Sequence, residues 1–393
     1  MSVEPRTLKG FRDFLPSEAR KRAYVINSLK KVFESFGFEP LETPVLEYEE
    51  ILLGKYGDEG DKLMYRFTDN GERRVAMRYD QTVPLARVVA QYTNDLPLPF
   101  KRYQVSNVYR AENTQRGRFR EFTQCDIDIV GVNSSISDGE ILQVVIRSLE
   151  ILGIKNFKIL VNDRAIFEDI PKEAIIIIDK LKKIGEEGVR KALQEKGLDI
   201  NLLDTIRMSK PTERITQVQN VIKDERIVFE PTLARGLDYY TGIIIEAEIE
   251  GYTAGSVGGG GRYDNLIGMF SKNPIPAVGF AFGFDRLLEA LDSMNLFKMD
   301  PSVTKALVSV FSSELQQNSL EVAKKLRQNG INTEIFLDIS PMEKQLKYAI
   351  KKQIPYFIVI GPEEIEKDMI TLKALDTRQQ QTLPLTDAMK IIA

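Results

Sequence analysis

The 393-residue chain has no histidine, no tryptophan and a single cysteine. Without an imidazole there is no histidine general base, no Ser–His or Cys–His nucleophile pair and no histidine metal ligand, which removes most hydrolase and zinc-enzyme chemistries. The lone Cys125 can form no intrachain disulfide, as suits a reducing, cytoplasmic compartment, and its place in an alternating stretch reads as packing. No apolar run nears the roughly 20 residues of a membrane span; the longest is Ala174–Ile178. Met1–Lys9 is polar, so no secretory signal is expected. A formal net charge of -3 means that any nucleic-acid binding must rest on local basic patches. With 43% hydrophobic and 28% charged residues, two or three domains with their own cores are expected.

What the chain does have is a dense cationic stretch between Tyr109 and Gly131. Arg110, Arg116, Arg118 and Arg120 crowd together, with Gln115, Arg116 and Gly117 at the expected tip of a hairpin. Beyond it Phe122, Gln124, Asp126 and Asp128 alternate, so strand periodicity sets Arg110, Gln124 and Asp128 on the faces of neighbouring strands. A guanidinium is permanently charged, planar and matched to phosphate oxygens, and Phe122 offers a flat face on which a base can stack. The pattern points to a sheet surface that holds a nucleotide and a small polar or cationic group side by side.

Two later segments add to this. Leu233–Gly242 contains Arg235, Asp238, Tyr239 and Tyr240 and leads into the apolar Ile243, Ile244 and Ile245. Charges at the mouth of a buried strand must be paired or bind something. Gly258–Gly261 precede Arg262, Tyr263 and Asp264; four glycines let backbone approach a ligand closely, or form a flexible turn. They match neither a Walker A loop nor Gly-x-Gly-x-x-Gly. Ala277–Phe282 reads as a strand and Phe284–Leu291 as a helix with Arg286 in its first turn.

On these residues the chain resembles the class II aminoacyl-tRNA synthetases, and within them the histidyl-tRNA synthetases. Phe36–Pro44 resembles motif 1, whose terminal proline lies at the dimer interface; the stretch from Tyr109 is similar to motif 2, and Gly279–Leu288 to motif 3. Leu233–Gly242 and Gly258–Asp264 narrow the resemblance to the histidyl family, and Lys9–Pro16 is also similar to it. The resemblance spans nearly the whole chain. It implies an α+β catalytic core of class II synthetase type, an antiparallel sheet flanked by helices, over about residues 1–300, with a helical insertion at about 164–228. A C-terminal α/β domain similar to an anticodon-binding domain is implied over about 303–393.

The resemblance also implies roles. Arg110 and Arg235 are the expected catalytic residues; Arg110, Glu112, Arg118, Phe122 and Arg286 are expected to bind ATP, with Mg2+ on the polyphosphate. Asp80, Gln81, Thr82, Arg110, Gln124, Asp128, Tyr239, Tyr240 and Tyr263 are expected around L-histidine. Aspartates stand at 80 and 128, where one branch of the family carries glutamates. The partners implied are tRNA(His), histidine, ATP and a second copy of the chain, joined through the region around Pro44. Two alternatives belong to the same family: a regulatory subunit of ATP phosphoribosyltransferase and an RNA-sensing pseudo-synthetase. The presence of Arg235 and of a C-terminal βαβ pattern argues against the first, and the intact motif arginines against the second.

Residue patterns give a coarse map of elements. Arg20–Phe36 is amphipathic and stops at Gly37. Val75–Asp80, Tyr103–Tyr109 and Thr123–Val130 read as strands, and Ile136–Leu152 as a helix whose Asp138 and Glu140 complement its dipole. Ala306–Phe311, Asn332–Leu337 and Tyr356–Ile360, alternating with helices Leu315–Gln328 and Met342–Lys352, predict a largely parallel sheet.

Overall fold

The computed structural model describes residues 3–114, 118–235, 239–271 and 273–393, with the side chains of 57–59 excepted. The expected hairpin tip at Gln115, Arg116 and Gly117, and Asp238, lie outside the described residues. The chain forms two compact units, divided between Phe297 and Lys298.

The first unit is built on an eight-stranded sheet. Its order is Glu39–Pro40, Phe100–Tyr109, Glu121–Val130, Ala277–Gly283, Gly258–Arg262, Ile243–Ile249, Phe157–Asp163 and Ile227–Phe229. The two outermost pairings are parallel and the rest antiparallel. Alternation decides which face is which. Cys125, Ile127, Ile129, Val278, Phe280, Phe282, Ile243, Ile245 and Ala247 face helices Pro16–Ser35, Ser135–Ile151 and Phe284–Ser293 and form the main core. Cys125 is therefore a packing residue, and burial pushes its thiol further up. The opposite face carries the polar residues of the same strands.

The glycine run is not a turn. Gly258–Arg262 is a central strand, bonded on both sides. Two expected strands start earlier than their apolar residues suggested, at Phe100 and Glu121, while the one expected to reach Asp80 spans Arg74–Met77. The chain leaves that strand so that Asp80 can sit before helix Thr82–Gln91. The charged segment after Asp163 forms short helices, including Lys172–Ile178, Leu181–Glu195 and Glu213–Ile222. Ile175, Ile178, Val189, Leu193, Leu203 and Ile206 give it a small core against Leu160 and Ile244.

Asp138 corrects the sequence reading in its surroundings. It lies near the start of its helix as expected, but is fully buried and clasped by two arginines from elsewhere. Arg262 Nη2 reaches its Oδ1 at 2.6 Å, and Arg214 Nε its Oδ2 at 2.5 Å. Arg262, 1% exposed, also donates to Ser137 Oγ and the Val132 carbonyl and pairs with Asp264 at 3.0 Å. Replacing one partner of such a pair strands the other's charge in the interior.

The second unit has a five-stranded sheet ordered Thr333–Ile335, Ala306–Val308, Tyr356–Val359, Ile370–Ala374 and Gln380–Leu383. The first three strands are parallel, as predicted, but the last two are antiparallel, so the sheet is mixed. Ile370–Ala374 and Gln380–Leu383 escaped the sequence reading because Thr371, Lys373, Gln380, Gln381 and Thr382 break any apolar run.

Asp138→Ala should lower the unfolding free energy by about 3–5 kcal/mol, the cost of leaving a buried arginine unpaired. Denaturant titration measures this, and a loss under about 1 kcal/mol, close to that of a surface change, would contradict it.

Candidate active site

The polar face of the sheet becomes a site because its central strands carry almost no side chains there. Register places Gln124 opposite Gly283, Asp126 opposite Ala281 and Asp128 opposite Gly279; Gly279 and Ala281 in turn face Gly261 and Gly259. A Cβ on Gly259 would stand 2.1 Å from Arg235 Nη1, and one on Gly279 would stand 1.9 Å from Asp128 Oδ1. The missing side chains are the space these two charged groups occupy.

Over this floor lies a cleft of about 430 Å³, in the range of small-molecule sites. Arg110, Glu112, Arg118, Phe122, Arg235 and Arg286 all line it, so the structure brings together every residue expected around ATP. Arg110 follows the strand that ends at Tyr109; its Nε donates to the Tyr79 carbonyl at 3.2 Å, and its guanidinium lies 4.3 Å from the Tyr79 ring centroid and 5.1 Å from that of Phe122. Glu112 stands 3.4 Å from Arg118 and 4.0 Å from Arg110. Arg235 is 3.4 Å from Glu246 and donates to Ser256 Oγ and the Gly258 carbonyl. Arg286, in the first turn of Phe284–Ser293, donates to the Ser256 carbonyl at 3.2 Å. Burial pushes the Arg286 guanidinium below its ordinary value, and the nearby Arg118 and Arg235 add to this. Cations crowded so closely without enough anions favour a polyanion.

A smaller pocket opens beside Arg110, Gln124, Tyr239 and Tyr240, which border both spaces. Asp80, Thr82, Asp126, Asp128 and Tyr263 complete its lining. Asp80 Oδ1 accepts from Tyr56 Oη at 2.9 Å and from the Thr82 and Val83 amides at 3.1 Å. Asp128 pairs with fully buried Arg102 at 2.7 Å and accepts from Tyr263 Oη. Burial raises both carboxyls above the usual range; hydrogen bonds oppose this at Asp80, and Arg102 at Asp128. Tyr239 meets Tyr240 edge to face at 4.8 Å, and burial pushes the Tyr240 phenol up to about 12.

Gln81 is not brought to the pocket. It is 0% exposed, and its Nε2 donates to the carbonyls of Ser106 and Gln124, bracing the strands from beneath. Sequence reasoning passed over Asp126, although the alternation that picked out Gln124 and Asp128 puts it between them. It also passed over Asp285, which lines the cleft and accepts from Arg12 and Arg22 at 2.9 Å each. No signal along the chain pairs residues so far apart. Among the described residues, no cluster of three carboxylates or other ligating groups could hold a metal.

An antiparallel sheet packed by helices on one face, with arginines on a glycine floor on the other, is the catalytic core of a class II aminoacyl-tRNA synthetase. The sequence model of the histidyl-tRNA synthetase family matches residues 10–212 and 201–287, and that of an anticodon-binding domain matches 305–393. The chain belongs to the histidyl-tRNA synthetase family. A histidine--tRNA ligase of Wolinella succinogenes is 39% identical, over 96% of this chain and 96% of that protein. One of Aeropyrum pernix is 37% identical, over 99% and 98%. The crystal structure of histidyl-tRNA synthetase from Nostoc sp. PCC 7120 superposes with a TM-score of 0.84 at 30% identity, covering 100% of this chain and 99% of that one. A Bacillus halodurans structure described as an ATP phosphoribosyltransferase regulatory subunit/histidyl-tRNA synthetase shares the fold, with a TM-score of 0.71 at 24% identity and coverage of 88% and 97%.

The floor glycines should differ sharply in what a methyl group costs. At Gly260 a Cβ would meet the Gly279 carbonyl oxygen at 2.1 Å, which is main chain, whereas at Gly259 it meets the movable Arg235 side chain. Gly260→Ala is expected to destabilise the protein by about 3 kcal/mol or more, and Gly259→Ala by less than about 1 kcal/mol. Parallel urea titrations of the two variants test this; equal losses would contradict it.

Proposed function

We infer that this protein attaches L-histidine to tRNA(His) at the expense of ATP, releasing AMP and pyrophosphate. The observation that carries the reading is the meeting of two spaces at Arg110: a cleft with four arginines and a pocket with three aspartates. The first suits a polyphosphate, the second an amino acid with cationic and polar N–H groups. The histidine--tRNA ligases it resembles over nearly their whole length support the same activity.

In the first step a carboxylate oxygen of histidine attacks the α-phosphorus, an O–P bond forms, and the bond to pyrophosphate breaks. Arg110, at the junction of the two spaces, is placed to hold the carboxylate and α-phosphate together. Arg235, flat on Gly259, would leave Glu246 to meet the charge that develops on the same phosphate. Arg118 and Arg286 would take the outer phosphates, with Phe122 and Glu112 at the adenine. In the second step the 3′-terminal adenosine hydroxyl of the tRNA attacks the adenylate carbonyl and AMP departs. Its proton passes to a phosphate oxygen, so neither step asks for a protein base, in keeping with a chain that has no histidine. Positioning and fixed positive charge carry the rate.

Mg2+ would come with the nucleotide, whose phosphate oxygens are the hard ligands it prefers. The carboxylates that line the cleft, Glu112 and Asp285, are both engaged by arginines, and Asp285 Oδ2 is a buried oxygen there with no hydrogen-bond partner among the described residues. Histidine would set its ammonium and ring among Asp80, Thr82, Gln124 and Asp128, with Tyr239, Tyr240 and Tyr263 lining the pocket. Specificity follows because a pocket that pairs both ring nitrogens penalises side chains lacking either. Residues 1–300 would form the catalytic domain, with the insertion at about 164–228 approaching the acceptor arm and 303–393 the anticodon. Around Pro44 an apolar groove of about 800 Å³, with Leu46, Tyr48 and Tyr92 exposed, is consistent with a homodimer interface there. No described helix is long and apolar enough to cross a membrane, and a cytoplasmic location fits the single buried thiol.

Arg235→Ala should reduce histidine-dependent pyrophosphate exchange by about 10²–10³-fold, the usual loss for one preorganised charge donor. Histidine binding, measured by calorimetry, should survive. Exchange at the parental rate would remove Arg235 from the mechanism.

A further inference from the structure

One carboxylate of the inner pocket has no hydrogen-bond partner among the described residues. Asp126 is 3% exposed and lines the pocket, yet its Oδ1 has no hydrogen bond among the described residues. Its surroundings are rich in acceptors. Gln104 stands directly opposite on the next strand, and the buried side-chain oxygens of Gln104 and Gln124 both lack a donor. Arg102, beneath the pocket, closes on Asp128 through Nη2 at 2.7 Å while its Nε and Nη1 lack an acceptor, and among the described residues no cation stands within 4.0 Å of an Asp126 oxygen to form an ion pair.

Two ionised carboxylates side by side would offer acceptors only. A neutral imidazole needs something else: one acceptor for its N–H and one donor for its lone-pair nitrogen. We propose that Asp126 stands in this pocket as a neutral carboxylic acid and donates its O–H to the lone-pair nitrogen of the histidine ring. Asp128 accepts the ring N–H. In the empty pocket the same O–H satisfies the orphan oxygen of Gln104. The proposal rests on reading this pocket as the histidine site, and it adds a specificity-determining residue to it. A neutral acid also withholds the second negative charge that would draw in lysine or arginine.

The charges around Asp126 agree. Burial pushes its carboxyl well above the usual range, Arg102 opposes this, and Asp128 and Asp80 reinforce it. Arg110 lies beyond them at the mouth, Arg78 acts from the adjoining segment, and Tyr240 faces it across the pocket. The direction of this shift means that the O–H is held to higher pH than in an ordinary carboxyl, and is lost as pH rises through the raised value. Histidine affinity should therefore weaken on the alkaline side by ionisation of Asp126. On the acid side it should weaken as the free ring protonates near pH 6.5, an approximate reference value.

The test compares Asp126→Asn and Asp126→Ala with the parent, by KM for histidine in pyrophosphate exchange and by calorimetric histidine binding. The amide keeps an N–H donor and cannot ionise. Asp126→Asn should stay within about threefold of the parent, while Asp126→Ala should bind histidine about 30-fold more weakly, as for a lost buried hydrogen bond, with kcat little changed. Loss of affinity in Asp126→Asn equal to that in Asp126→Ala would overturn the proposal, and so would an unaffected Asp126→Ala. A second measurement needs no variant: histidine binding to the parent at pH 7.5 in buffers of different ionisation enthalpy. Free histidine is then about nine-tenths neutral in its ring. A neutral acid predicts almost no net proton uptake; uptake near one proton per histidine would mean an imidazolium between two carboxylates and would end the proposal. A parent with no histidine-dependent exchange would instead refute the reading of the site itself.

Discussion

The cleft depends on a sheet whose central strands are bare on one side. An ordinary strand projects a side chain on alternate positions, which would fill the volume directly above the floor. Here Gly259, Gly261, Gly279 and Gly283 remove that layer, and long side chains anchored at the margins lie down across it. Arg235 is the clearest case, since its guanidinium occupies the place of a Cβ. Glycine lowers the strand's intrinsic stability, so the arrangement holds because both neighbours bond Gly258–Arg262 along its length. The opposite face, packed with Phe280, Phe282 and Ile245, supplies the burial that the floor gives up.

Two buried arginines fix this floor from opposite sides. Arg262 ends the glycine strand and points into the helical face, where Asp138 holds it. The next residue, Tyr263, points the other way and donates to Asp128, itself held by Arg102. One step along an extended chain thus links the helical core to the inner pocket. Arg214 joins the same Asp138 from helix Glu213–Ile222, so part of the inserted segment is tied to the strand behind the pocket. Buried pairs of this kind contribute little net stability because desolvation offsets their attraction. Their effect is to leave each carboxylate one permitted direction.

Much of this was legible along the chain, and what was hidden has physical reasons. Period-two alternation after Phe122 identified the polar face correctly, and the apolar runs located most strands and helices. Gly258–Gly261 defeated pattern reading because glycine has no side chain to alternate. The signal lay in its partner: Ala277, Gly279, Ala281 and Gly283 alternate small residues with Val278, Phe280 and Phe282, as a strand with one bare face must. Asp138 was read only as complementing its helix dipole because nothing local points to its partners, which are 76 and 124 residues away. Gln81 was read with its neighbours Asp80 and Thr82, but the turn into helix Thr82–Gln91 sends its side chain under the strands. Adjacent residues at the start of a helix face different ways, and motif positions do not carry that information.

The absence of histidine bears on the chemistry as well as on the classes it excludes. No side chain with an unperturbed value near neutrality exists in this chain, and burial moves Cys125, Tyr239, Tyr240 and Tyr263 further above it. In the inner pocket burial raises the carboxyls of Asp80, Asp126 and Asp128 above the usual carboxylate range. An imidazole arriving in the pocket meets no protein imidazole that would compete for the same proton or the same hydrogen bonds. Whatever ring a ligand brings would meet carboxyl groups whose charged form burial disfavours.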